Sequence, residues 1–145
     1  MKLTTIWLFV FACMFAAGSV PDAQAANCSN ASLEGGYGFF VHATILPAGT
    51  PRSIIGRLSF DGKGKFTNVL TFNDNGVVTQ STDFGTYTVS PDCTGKIFTN
   101  GGTRTIEIVL VDGGKEFYQL RTDDPHILFV FNAAKKQLPG GNGQD

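Results

Sequence analysis

Gly85-Thr86-Tyr87-Thr88-Val89-Ser90-Pro91-Asp92-Cys93-Thr94-Gly95 is the stretch of this chain that decides the fold. Its first half alternates side chains with the period of two that is typical of a β-strand. The strand runs into a Pro-Asp turn, where both residue types favour reversal of the chain, and the turn ends on Cys93. A strand, a tight turn and a cysteine in this order predict a small β-structure that is closed by a disulfide.

The first 25 residues predict a Sec-type signal peptide. Lys2 gives a short positive start, an apolar run extends from Ile6 to Ala17, and Ala23-Gln24-Ala25 has the small-x-small form that signal peptidase requires. A retained transmembrane helix is the alternative, but it needs about 18 or more apolar residues, and this run is shorter. We expect a secreted or periplasmic bacterial protein with no membrane insertion after cleavage.

Removal of 25 of the 145 residues leaves a chain of 120, which is enough for one domain with its own core. We expect a barrel domain at residues 26–134 and a flexible tail at 135–145. The formal net charge is −1, which argues against nucleic acid or an anionic membrane as a partner, because both select a basic surface. Thirteen Phe and 18 Gly with few charged residues indicate strands joined by tight turns.

Two cysteines remain once Cys13 leaves with the signal peptide. A pair in an exported chain predicts a disulfide, here between Cys28 and Cys93. Closing a loop of about 65 residues contributes on the order of 4 kcal/mol in the chain-entropy model. A redox-active pair is the alternative, but such pairs usually have the C-x-x-C spacing.

Apolar residues alternate along most of the remaining chain, and glycine-rich turns separate the segments. Asp61-Gly62-Lys63-Gly64, Asn73-Asp74-Asn75-Gly76 and Asp112-Gly113-Gly114 are hairpin signals. Asp83-Phe84-Gly85 is interpreted as a bulge or corner within the fourth strand. Eight or nine short strands of this kind predict an all-β antiparallel meander that closes into a roughly eight-stranded barrel or folds as a sandwich. Closure is favoured because it removes exposed sheet edges.

Three motifs carry a resemblance to a known family. Gly85-x-Tyr87 with Asp92-Cys93-Thr94-Gly95, Cys28-Ser29-Asn30-Ala31 and Phe60-Asp61-Gly62-x-Gly64-x-Phe66 resemble a family of small exported bacterial proteins without an assigned function. The likeness extends to Ala134-Lys135-Lys136-Gln137. The expected barrel is also similar in architecture to the allene oxide cyclase and dirigent type and to lipocalin-like folds, although a shared fold does not imply a shared function.

No catalytic residue, metal ligand or cofactor site is predicted. The two histidines, His42 and His126, have no partners at zinc-ligand spacing, and we expect a solvated surface position for the first and a turn position for the second. No G-x-S-x-G nucleophile motif occurs. The carboxylates that could form a hydrolytic pair fall mostly in turns, where Asp caps the backbone: Asp83, Asp92, Glu107, Asp112, Glu116, Asp123 and Asp124.

Polar residues on apolar faces suggest the best candidate for a binding site. Tyr37, Asn68 and Tyr87 share faces with apolar neighbours, and a buried phenol or amide either stitches the core or orients a ligand. The predicted ligand-binding residues are Tyr37, Phe39, Phe66, Asn68, Tyr87 and Ile108. Three arginines could ring one mouth of the barrel and attract an anion: Arg52, Arg57 and Arg121. Whether the interior is packed with Phe or hollow stays open.

The segment 127–131 is apolar on both faces of its predicted strand, so one face needs a cover, and a homo-oligomer is one way to provide it. We therefore expect a non-catalytic exported protein that binds a small apolar or amphipathic ligand. One alternative is an envelope or extracellular structural protein that self-associates. A second alternative is a cofactor-free cyclase or isomerase, by analogy with similar barrels.

Overall fold

The computed structural model describes residues 27–137, with the backbone alone at residue 100 and at residues 128–132. The predicted signal peptide and most of the predicted tail lie outside the described residues. The fold consists of eight strands, β1 (Glu34–Ile45), β2 (Thr50–Asp61), β3 (Lys65–Asp74), β4 (Val77–Val89), β5 (Thr94–Thr99), β6 (Arg104–Val111), β7 (Glu116–Arg121) and β8 (Ile127–Lys136).

Each strand pairs antiparallel with the strand before it, and β8 returns to pair with β1, so the sheet closes into a barrel. The β1–β8 pairing runs from Tyr37 opposite Lys136 to Ile45 opposite Ile127, with one shift of register beside His42. The predicted eight-stranded antiparallel barrel is confirmed, and the sandwich is wrong. In an open meander, β1 and β8 would be exposed edge strands, whereas closure gives each of them a hydrogen-bonded neighbour on both sides.

Two predicted features differ from the structure. The expected bulge at Asp83-Phe84-Gly85 is wrong, because β4 pairs with β3 through this segment without a change of register. Gly85 serves a different purpose there: a Cβ atom at this position would lie 1.9 Å from the carbonyl oxygen of Phe98. At the other end of the chain, Lys135 and Lys136 belong to β8, although the tail is predicted to start at residue 135.

The predicted alternation places the core correctly. Along β1, Tyr37, Phe39, Val41 and Ala43 are all buried, and the residues between them are more exposed. The same parity buries the inward positions of β2 and β3, because successive side chains of a strand point to opposite faces.

Aromatic rings fill one end of the barrel, which we call the packed end. Phe60 lies at their centre, with ring centroids at 4.9 Å from Tyr87, 5.5 Å from Tyr37 and 5.9 Å from both Phe66 and Phe117. Most of these contacts are edge-to-face, the arrangement that the quadrupole of an aromatic ring favours.

The segment before β1 covers the packed end like a plug. It contains a 3-10 turn at Asn30–Ser32, followed by the fully buried Leu33. The Asn30 side-chain oxygen accepts a hydrogen bond from the backbone N–H of Val89 (2.8 Å). The predicted disulfide is confirmed: Cys28 is bonded to Cys93 in the β4–β5 turn. The bridge therefore ties the plug to the wall that it covers.

One backbone hydrogen bond joins the first residues of β1 to the residue that follows β8. The backbone N–H of Gln137 donates to the carbonyl of Gly36 at 2.8 Å. The start of β1 and the end of β8 thus lie together at the packed end.

Candidate ligand-binding site

A cavity of about 320 Å³ occupies the other end of the barrel, which we call the open end. Part of its wall is apolar and comes mainly from β1, β2 and β3. These apolar residues are Phe39, Val41, Ile54, Leu58, Leu70, Phe72, Ile106 and Ile127. The interior is therefore neither packed throughout nor hollow throughout, and the two alternatives left open by the sequence each describe one end.

The cavity exists because the inward-facing side chains become smaller along the strands from the packed end to the open end. Inward positions that hold Tyr and Phe at the packed end hold Val41, Ile54 and Leu70 toward the open end. Gly56 also contributes, since a Cβ atom there would lie 2.6 Å from the ring of Phe39. The missing side chain at position 56 therefore leaves room for this ring.

The β4 side of the cavity is polar. Thr79, Ser81 and Asp83 occupy alternate positions of this strand and line the cavity together. Asp83 pairs in register with Asn68 on β3, and its carboxylate lies 3.6 Å from the guanidinium of Arg104. The cavity thus has one apolar side and one polar side, a combination that suits an amphipathic molecule.

Two buried polar atoms of the wall have no hydrogen-bond partner among the described residues. They are the side-chain oxygens Oδ1 of Asn68 and Oγ1 of Thr99, and we call these two residues the inner pair. Asn68 is 7% exposed and Thr99 is 3% exposed, and both line the cavity. Buried polar groups are almost always paired, so each exception needs an explanation.

Ion pairs surround the mouth of the cavity. Arg52 donates from Nε and Nη2 to the two carboxylate oxygens of Asp74, at 2.6 and 2.5 Å. This hydrogen bonding holds the pKa of Asp74 below its usual range and raises that of Arg52. Arg121 binds Asp123 in the same two-point manner at 2.9 and 3.0 Å, which lowers the pKa of Asp123.

The predicted ring of arginines is partly reproduced. Arg52 and Arg121 line the cavity, but Arg57 does not, because its side chain points outward, close to Gly36. Arg104, which no sequence motif indicates, takes the third place. Arg52 and Arg57 lie on opposite faces of β2, because position 52 shares the inward face of Ile54 and position 57 does not.

The structure divides the six predicted ligand-binding residues between the two ends. Phe39 and Asn68 line the cavity. The other four, Tyr37, Phe66, Tyr87 and Ile108, are buried and do not line it. Lining residues that the sequence reasoning missed include Thr99, Arg104 and Gln119.

Both phenols of the packed end have backbone partners. The hydroxyl of Tyr37 donates to the carbonyl of Gly114 at 2.6 Å, and that of Tyr87 donates to the carbonyls of Asn30 and Leu33, both at 2.9 Å. The hydroxyl of Tyr37 thus links β1 to the turn before β7, and the hydroxyl of Tyr87 links β4 to the plug. Of the three polar residues among the predicted ligand-binding residues, Asn68 is the one that lines the cavity.

The remaining titratable residues hold turns or face outward. Asp92 accepts from the backbone N–H and the hydroxyl of Thr94 at 3.0 and 2.7 Å, which lowers its pKa and matches the predicted capping role. His42 and His126 are both exposed. Within residues 27–137, no group of three or more His, Cys, Asp or Glu side chains is placed to hold a metal ion.

Searches of protein-family models, curated proteins and solved structures gave no match to this chain. In the described part of the chain, no helix has the length and apolar character to span a membrane.

Proposed function

We propose that this protein binds a small, largely apolar molecule in the open end of its barrel, and that it does so after export from the cytoplasm. The cavity of about 320 Å³ carries the proposal, because it lies within the size range of small-molecule sites and combines an apolar wall with a few polar groups. The Cys28–Cys93 bridge supports export, since such bridges persist in oxidising compartments.

The division of the barrel supports binding over a purely structural interior. Aromatic rings, a plug and a disulfide make the packed end rigid, and a rigid frame keeps a site preformed. A core that served stability alone would gain by filling the open end, because empty volume destabilises a fold.

The charged groups of the cavity favour binding over catalysis. Asp74 is held ionised by Arg52, which lowers its pKa, so this carboxylate is a poor proton acceptor near neutral pH. We assign no catalytic residue. The proposed protein is a carrier or sensor of its ligand.

The test uses the neutral fluorescent probe N-phenyl-1-naphthylamine and two neighbouring substitutions. Ser81 lines the cavity, and the exposed Thr82 follows it on the opposite face of β4. Ser81→Trp fills the cavity and should abolish the fluorescence increase, whereas Thr82→Trp should leave it unchanged. Equal binding by both variants would contradict the proposal. Native mass spectrometry of protein purified from its own host should then show the bound molecule.

A second candidate function is self-association, and a row of apolar residues on the outer wall favours it. Register places Val109 beside Tyr118, Tyr118 beside Ala133, Ala133 beside Phe40, and Phe40 beside Ile55. We call these five residues the outer row. Four of them are 42–60% exposed, and at the ~4.8 Å spacing of strands the row is roughly 19 Å long.

A groove in the outer row gives a second copy a place to dock. Phe40 and Tyr118 flank a groove of about 360 Å³, with Glu116 and Lys135 at its border. These two side chains form an ion pair with each other at 3.5 Å, so the border of the groove carries no unpaired charge that would repel a second copy in a two-fold dimer. The sequence-based expectation of self-association rests on the segment 127–131, in which Ile127 lines the cavity and the side chains of residues 128–131 lie outside the described residues.

Sedimentation velocity tests this candidate. Tyr118→Lys should dissociate the dimer, while Val77→Lys, at another exposed apolar position, should not. A monomer at tens of micromolar would reject self-association and leave the proposed ligand binding untouched.

A further inference from the structure

We propose that the inner pair, Asn68 and Thr99, binds the hydroxyl group of a neutral ligand whose apolar body lies against β2, β3 and β6. This inference rests on the proposed function, and it adds the chemical class and the orientation of the ligand. The ligand is an alcohol or a phenol that enters with its hydroxyl group first.

The unpaired atoms define the chemistry of the group that they bind. Oδ1 of Asn68 is an acceptor, so its partner must donate a hydrogen bond. Oγ1 of Thr99 belongs to a hydroxyl group, which can donate as well as accept. A ligand hydroxyl suits either atom, because it donates one hydrogen bond and accepts others.

The surrounding residues explain why the protein itself does not supply this partner. Asp83 lies opposite Asn68 in the sheet, but an ionised carboxylate only accepts hydrogen bonds. Arg104 lies opposite Thr99, and its guanidinium is paired with Asp83 at 3.6 Å. Asp83 and Arg104, the charged groups opposite the inner pair, therefore pair with each other and leave the inner pair available to a ligand.

Buried polar side chains at the packed end have hydrogen-bond partners within the protein, whereas Oδ1 of Asn68 and Oγ1 of Thr99 have none among the described residues. This difference argues against a purely structural role for the inner pair. Tyr37 and Tyr87 are as deeply buried, and both of their hydroxyl groups reach backbone carbonyls. Leaving a polar group without a partner in a protein interior costs about 1–3 kcal/mol. Asn68 and Thr99 would carry this penalty twice unless a ligand relieves it.

The mouth of the cavity favours a neutral ligand. Each lining arginine is already paired, Arg52 with Asp74, Arg104 with Asp83, and Arg121 with Asp123 and Asp124. An anion would have to displace a carboxylate from one of these arginines, and a cation would have to displace an arginine. A neutral molecule passes these ion pairs without breaking them.

The apolar wall and the volume set the size of the ligand body. Ile54, Leu70 and Ile106 provide aliphatic contacts along the cavity. An engineered cavity of about 150 Å³ accepts benzene. The cavity here, at about 320 Å³, has room for a bicyclic ring system with a hydroxyl group.

Three probes of one shape test the inference: 2-naphthol, 2-methylnaphthalene and the anion 2-naphthoate. Each is titrated against the bound N-phenyl-1-naphthylamine, and its dissociation constant is taken from the loss of fluorescence. We expect 2-naphthol to bind about 5- to 150-fold more tightly than 2-methylnaphthalene, which corresponds to the hydrogen-bonding penalty of about 1–3 kcal/mol that it relieves. We expect 2-naphthoate to bind the most weakly.

Substitutions in the inner pair locate the effect. Asn68→Leu and Thr99→Val keep the approximate shape and remove the polar atoms, so each should reduce the preference for 2-naphthol. Thr67→Val, at the exposed neighbour of Asn68 on β3, is the matched control and should leave the preference unchanged. Two separate variants are used so that a failure of one to fold leaves the other as a test.

The outcomes separate this inference from the proposed function. Equal affinities for 2-naphthol and 2-methylnaphthalene would overturn the inference, and the cavity would remain an apolar site. A preference for 2-naphthol that persists in both variants would also overturn it. Failure of all three probes to displace the fluorescent probe would overturn the inference while its binding still supports the cavity. Failure of N-phenyl-1-naphthylamine itself to bind would reject both.

Discussion

Removing the bridge between Cys28 and Cys93 should cost this fold about 4 kcal/mol of unfolding free energy. The two residues are 65 positions apart, so the bridge closes a loop that contains β1 to β4, half of the barrel. In the chain-entropy model, a loop of this length removes about 14 cal/mol/K from the unfolded state, or about 4 kcal/mol at 25 °C. The typical stability of a domain is about 5–15 kcal/mol, so the variant should fold but be marginal.

Urea unfolding of the Cys28→Ala, Cys93→Ala double variant measures this loss. Circular dichroism is the suitable signal, because the single tryptophan of the chain, Trp7, lies in the predicted signal peptide. An unfolded chain without the bridge is more expanded, and its steeper dependence on urea means that extrapolated free energies should be compared rather than midpoints.

Reductant provides the control for this experiment. It should lower the stability of the parent protein to that of the double variant and leave the variant unchanged. A difference below about 1 kcal/mol would refute the reasoning, because it would mean that the bridge does not restrict the unfolded chain as the chain-entropy model requires.

Three further predictions concern single side chains. Burial raises the pKa of Tyr37 from 10 to about 12, so the stability that this phenol contributes is complete below pH 10 and is lost as the pH rises toward 12. Tyr37→Phe should remove this alkaline loss of stability, measured as the difference in unfolding free energy between about pH 9 and about pH 11. A hydrogen bond from Arg52 lowers the pKa of Asp74, so this ion pair stabilises the fold above the ordinary carboxyl pKa of about 4 and loses its effect as the pH falls. Asp74→Asn should therefore flatten the acid side of a plot of thermal stability against pH. The change should stay below about 1 kcal/mol, because both side chains are partly exposed, and an unchanged plot would contradict the assignment. Gly56→Ala places a methyl group against the ring of Phe39 and should cost about 1–3 kcal/mol and weaken probe binding, whereas Gly38→Ala, where the nearest atom lies at 3.8 Å, is the control in the same assays.

Local pattern predicted the strands well because the physics of a strand is local. Alternation alone placed Tyr37 and Phe39 inside, and the Asp-Gly and Asn-Gly signals fixed the turns that end β2 and β3. The glycine at position 85 was misread for a related reason. Sequence shows that a side chain is missing there, but only the paired strands show that the neighbouring carbonyl of Phe98 requires it.

The site was harder to predict than the fold because it depends on register between distant strands. Parity tells whether a residue points inward, and Tyr87 and Asn68 look equivalent by that criterion. Strand register then decides that Tyr87 reaches the plug and that Asn68 reaches the cavity. Arg104 was missed because its role comes from Asp83 on another strand, which no short motif links to it.

The contact between the start of β1 and the end of β8 has a practical meaning for how this barrel can be displayed. Gly36 and Gln137 make this contact at the packed end, remote from the cavity mouth. A carrier domain or a solid support joined directly after Gln137 would therefore sit behind the barrel, and the opening would face the surrounding medium.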